Sequence, residues 1–163
     1  GTVQHAGVVL GVGGDMGVAG HGLLSLGGEA GGYFSYALLA REVSAVTAAC
    51  LLTTREVFDE VGGLNEGALR VAFNDVDFCL KIREAGYKII WTPHAVLHHH
   101  ESKSRGLEDT PEKQARFSRE VHYMLDRWGE LLQHDPYYNP NLSLNAETYS
   151  LADQPRVDKP WRL

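Results

Sequence analysis

The sequence predicts an α/β domain, and three observations carry that expectation. Short apolar runs of strand length alternate with capped segments of helical periodicity. A single long amphipathic stripe lies late in the chain. Glycine is concentrated at the start: twelve of eighteen fall within residues 1–32, beside only two formal charges, Asp15 and Glu29. At 163 residues the chain has the length of one ordinary domain.

In chain order, residues 6–10 (AGVVL) read as a strand and 11–32 as a glycine loop without helical periodicity. Residues 33–41 read as a short helix or turn. Residues 43–52 (VSAVTAACLL) are apolar, small and partly β-branched, which predicts a buried strand. Thr54 caps a helix over 55–61 that Gly62-Gly63 ends. Asn74 is expected to cap a second helix, with Asp77 at the third helical position answering the backbone of the cap and Gly86 at the stop. Residues 87–91 and 95–99 read as two short strands broken by Thr92-Pro93. The longest helix is expected over 111–133. Thr110 caps it, Pro111 opens its first turn, and Phe117, Val121, Met124, Leu125, Trp128 and Leu132 form its stripe. Residues 136–163 are rich in Pro, Asn and Tyr and read as an extended tail, leaving 1–135 as the folded unit.

Composition removes several classes of function. A net charge of -6 gives no general electrostatic reason to bind nucleic acid or anionic lipid. No apolar run approaches the length of a membrane span, and no secretory leader pattern opens the sequence. Cys50 and Cys79 sit among apolar neighbours, so a reducing, cytoplasmic setting is expected, at most peripheral to the inner face of the membrane.

Four segments are candidates for chemistry. Residues 11–17 (GVGGDMG) follow a strand, but the dinucleotide fingerprint requires glycine at its sixth position, where Met16 stands, and a helix directly after. A surface loop is the better reading. Asn74-Asp75-Val76-Asp77 places two carboxylates in the first turn of a helix, a favourable end for negative charge. Two residues apart, they face different ways and so have different tasks. Asp75 is set to project into a cleft and Asp77 to cap; simple capping by all three polar residues stands beside that reading. His98-His99-His100-Glu101 ends a predicted strand, where alternation sends His99 opposite to its neighbours. One imidazole there is suited to a divalent metal, or the group is a solvated strand end. Residues 102–106 (SKSRG) are small, polar and basic, suited to a loop closing on an anionic group or to plain exposure.

In order, the segments AVTAACLL, REVFDEVGGLNE, FNDVDFCLKIREAGYKIIWTP, AVLHHHES and SRG resemble family 2 glycosyltransferases of the GT-A fold. The opening GTVQHAGVVLG and the closing DPYYNPNLSL resemble the bacterial, rhamnosyltransferase-like branch that builds surface polysaccharides. The resemblance implies the acceptor-side half of such an enzyme, a partial GT-A fold with a mixed sheet and flanking helices. The nucleotide-binding half, with its Asp-x-Asp motif, has no match here. By the same resemblance Asp75 matches the catalytic base and, with Asn74, the acceptor-binding position. Members usually carry Glu where Asn74 stands, which leaves sugar preference open. His99 matches a metal ligand, Ser104 and Arg105 lie in the loop over the donor diphosphate, and Asp77 is structural support. The implied reaction is inverting transfer from a nucleotide-diphospho-sugar to a saccharide acceptor, with Mn²⁺ or Mg²⁺ as cofactor. A half-domain is expected to be inactive alone and to pair as a homodimer through its uncovered surface. The alternative reading is a non-catalytic metal- or sugar-binding module.

Overall fold

A computed structural model describes residues 1–13, 17–99, 110–145 and 149–157. Its elements are β1 (Val8–Leu10), β2 (Ala19–His21), β3 (Arg41–Glu42), α1 (Arg55–Glu60), α2 (Asn74–Glu84), β4 (Ile90–Trp91) and α3 (Pro111–Gln133). Short 3-10 turns lie at Tyr33–Ser35 and Ala48–Cys50.

The long helix forms where its stripe predicts. Thr110 accepts the backbone N–H of Lys113, Pro111 needs no partner in the first turn, and Val121, Met124, Trp128 and Leu132 are buried. Phe117, at the outer end of the stripe, is half exposed against Phe73. α3 packs over β1, and the main core gathers Leu10, Val43, Leu69, Phe78, Leu80, Met124 and Leu132 between α2, α3 and the strands.

The strands form two antiparallel pairs, β1 with β2 and β3 with β4. Val8 also meets Ala45 in an isolated bridge. The expected glycine loop therefore contains a strand. Ala19-Gly20-His21 lacks β-branched residues, but Val8 faces His21 and Leu10 faces Ala19 across the ladder. The expected strand over 43–52 does not form: beyond β3 only Ala45 pairs, in that isolated bridge, and the Thr47 hydroxyl accepts the N–H of Ala49 and caps a 3-10 turn instead. Residues 95–99 carry no strand and are exposed, so alternation of faces does not apply to His98 and His99.

Asp135, two residues beyond the end of α3, ties the layers. Its buried carboxylate accepts from Leu10 N at 2.8 Å, Ser44 Oγ at 2.7 Å and Tyr137 N at 2.8 Å. The chain beyond it is not extended where described. Tyr138 and Leu142 pack with Val9 and Val12 in a second small core, and Tyr149 stacks on Tyr33. Among the described residues, no helix is long and apolar enough to cross a membrane.

Candidate functional site

The site is built around the first turn of α2. Asn74 does not cap this helix; Phe73 does, in a left-handed conformation (φ 60°) with no side-chain cap bond. A non-glycine residue rarely adopts that conformation unless its surroundings impose it. Here they do. Buried Glu120 on α3 accepts Val71 N and Ala72 N, both at 3.0 Å, which fixes the approach to Phe73. Asn74 holds the preceding loop: its Oδ1 accepts Asn65 N at 2.8 Å, and its Nδ2 donates to Asn65 O and Leu69 O. Both amide hydrogens are spent inside the protein, so Asn74 shapes the loop rather than offering them to an acceptor. Asn65 is anchored in turn on the Tyr123 hydroxyl.

Asp75 stands half-buried at the helix entrance. Its Oδ1 accepts Val76 N at 2.9 Å and its Oδ2 accepts Ala48 N at 3.0 Å. These bonds fix the carboxylate plane, and each oxygen keeps a lone pair for a further proton or hydroxyl.

Asp77 turns the other way, as the spacing predicts, but it does not answer the backbone of the cap. It is 1% exposed, accepts Trp128 Nε1–H at 2.9 Å, and lies 3.6 Å from both Lys81 Nζ and Arg127 Nε. The expected capping box is thus replaced by an interhelical anchor that pins α2 to α3.

Behind Asp75 lies a feature that the sequence does not reveal. His5 Nδ1 sits 3.0 Å from His21 Nδ1, with the rings edge to face. His5 Nε2 accepts Thr47 N at 3.3 Å, next to the Ala48 N–H that serves Asp75. Burial, then the charges of His21, Arg41 and His99, push the His5 pKa from 6.5 to about 3. Arg41 donates to Ala6 O and stacks between Tyr36 and Trp91.

His99, the expected metal ligand, is exposed. Among the described residues, no group of three or more His, Cys, Asp or Glu side chains is arranged to hold a metal ion. Ser104 and Arg105 lie outside the described residues. Away from Asp75, a groove of about 580 Å³ is lined by residues including Tyr36, Arg41, Glu42, Tyr137, Tyr138 and Asn139.

No family model matches the chain, and no solved structure matches it. Two curated proteins are similar to nearly all of it. One is uncharacterized protein y4gI of Sinorhizobium fredii, 59% identical over 152 residues, which cover 93% of this chain and 16% of that protein. The other is O-antigen biosynthesis protein RfbC of Myxococcus xanthus, 37% identical over 156 residues, which cover 95% of this chain and 12% of that protein. The chain thus corresponds to a small part of two much longer proteins, one of them named for the biosynthesis of a surface polysaccharide.

Proposed function

We propose that the chain is the acceptor-side half of an inverting family 2 glycosyltransferase of the GT-A fold, working in surface-polysaccharide biosynthesis. The observation that carries this reading is the 37% identity to O-antigen biosynthesis protein RfbC along 95% of the chain. The geometry of Asp75 supports it: a carboxylate held by two backbone N–H groups at the mouth of a helix, with lone pairs to spare.

In this reading an acceptor sugar hydroxyl lies against Asp75. The carboxylate takes its proton while the oxygen forms a bond to the anomeric carbon from the face opposite the leaving group. The anomeric carbon–oxygen bond breaks, and its electron pair leaves on the nucleoside diphosphate. Fixing the carboxylate in advance places its lone pair without reorganisation during the reaction. Glu120, Asn74 and Asp77 keep the helix entrance in place. A bound Mn²⁺ or Mg²⁺ would supply charge neutralisation to the departing diphosphate, and His99 is the described side chain that this half would offer it. Ser104 and Arg105 would contribute contacts to the diphosphate.

The test is release of nucleoside diphosphate with a panel of sugar nucleotides, from the chain alone and from the chain joined to a donor-binding half. Transfer is expected only from the joined form. Turnover by the 163-residue chain alone overturns the half-enzyme reading.

The aromatic and amide-lined groove beside Tyr36 and Tyr137 favours a second reading, a sugar-binding module without transfer. Saccharide binding abolished by Tyr137→Ala, with no transfer from the joined form, would decide for it.

A further inference from the structure

We propose that His5 and His21 form a tautomer-locked relay, anchored on the turn that also holds Asp75, that makes Nε2–H of His21 a fixed hydrogen-bond donor to an anionic oxygen of a ligand. The β1–β2 hairpin creates the pair. His21 is the residue opposite Val8, and Gly22 N–H donates to Gly7 O, so the chain ahead of β1 runs alongside the end of β2.

The direction of each bond follows from one donor that cannot be reversed. A backbone N–H only donates, so Thr47 N makes His5 Nε2 an acceptor. A neutral imidazole with a bare Nε2 carries its proton on Nδ1. That proton lies toward His21 Nδ1, 3.0 Å away, which must therefore accept. His21 then holds its own proton on Nε2. His21 is half-buried, and among the described residues its Nε2 has no hydrogen-bond partner.

The relay belongs to the Asp75 site because both hang from one turn. Thr47 N serves His5, and the next nitrogen, Ala48 N, serves Asp75. His5 Nε2 and Asp75 Oδ2 are therefore no more than about 10 Å apart, and His21 continues the relay from the far side of the His5 ring. Arg41, whose guanidinium donates to Ala6 O next to His5, is basic. A neutral N–H donor in such surroundings suits a phosphate or carboxylate oxygen. It does not suit a metal: the two Nδ1 atoms share a proton, and a cation at Nε2 of His21 would need that nitrogen bare. His5 is thus a positioning residue and His21 a binding residue. The identity of the ligand rests on the transferase reading; the tautomers do not.

The experiment uses the ¹⁵N-histidine-labelled chain, whose imidazole nitrogen shifts distinguish the tautomers. The expected pattern is Nδ1–H for His5 and Nε2–H for His21 at neutral pH. Nε2–H on His5, or Zn²⁺ shifting both Nδ1 signals, overturns the relay whether or not the protein transfers sugar. Inorganic pyrophosphate then stands in for a donor diphosphate and D-glucuronate for an acidic sugar. At least one should shift the His21 Nε2–H signal saturably, and which one does identifies the source; a shift with neither overturns the proposal. His5→Gln supplies an acceptor for Thr47 and a donor for His21, so it should keep the response. His5→Ala, checked for folding by circular dichroism, should weaken it about tenfold. Equal responses in the two folded variants also overturn it, and His5→Gln with the wild-type tautomers keeps the test decisive if His5→Ala does not fold.

Discussion

Asp77→Asn separates an interhelical anchor from a simple helix cap. A first-turn cap at the surface is worth about 1 kcal/mol. Asp77 is 1% exposed and faces Lys81, whose side chain is only 14% exposed, and Arg127, at 41%. Breaking a buried pair by removing one charge costs about 3–5 kcal/mol. Two features reduce that figure here: Arg127 is largely solvated, and Lys81 keeps a bond to Gly63 O. Asn also retains an oxygen for Trp128 Nε1–H. The expected loss is about 2–3 kcal/mol. Asp77→Ala also strands the indole N–H, which adds about 1–3 kcal/mol. Equilibrium urea unfolding followed by tryptophan fluorescence measures both. A loss of about 1 kcal/mol or less for Asp77→Asn would refute the anchor and restore the cap.

Acid should destabilise the protein through His5. Its folded pKa, about 3, lies below the unfolded value of 6.5, so the unfolded state binds the extra proton as pH falls. Stability contributed by neutral His5 is whole above pH 6.5 and lost toward pH 3, at about 1.4 kcal/mol per pH unit. Urea unfolding at pH 6.5 and pH 4.5 should show wild type losing about 2–3 kcal/mol more than His5→Gln; equal losses would contradict the buried neutral imidazole. Gly11→Ala should cost more than 3 kcal/mol or prevent folding. Gly11 has φ +75°, and a Cβ there would stand 2.1 Å from the backbone oxygen of Leu132. A thermal midpoint within 2 °C of wild type would refute that close approach.

The elements legible in the sequence were those whose signals are local. α3 follows from a threonine cap, a first-turn proline and a stripe at 3.6-residue spacing, and α1 from Thr54 and the glycine pair after it. α2 starts one residue earlier than its composition suggests, because Asn74 has the composition of a cap while Glu120, forty-six residues on, holds Phe73 in that role. β2 was invisible because Ala-Gly-His has no strand propensity and is held by its pairing with β1. At the site, the opposite orientations of Asp75 and Asp77 were legible from spacing alone. Glu120 and Asp135 were not, since a carboxylate on a polar helix face or before a proline reads as solvated until the backbone groups it satisfies are known. The His5–His21 contact spans sixteen residues of glycine-rich chain and leaves no local signal.

The central claim is that Asp75 acts as the catalytic base, and steady-state transfer kinetics of Asp75→Asn, in the chain joined to a donor-binding half, test it most directly. The substitution preserves size and the contact with Ala48 N–H but removes the proton acceptor. The predicted result is a fall in kcat of about 10²–10⁴ with the donor KM little changed, and a folding stability within about 1 kcal/mol of wild type. Near-normal turnover by Asp75→Asn would contradict it, as would loss of turnover in folded Asp77→Asn while Asp75→Asn remains active.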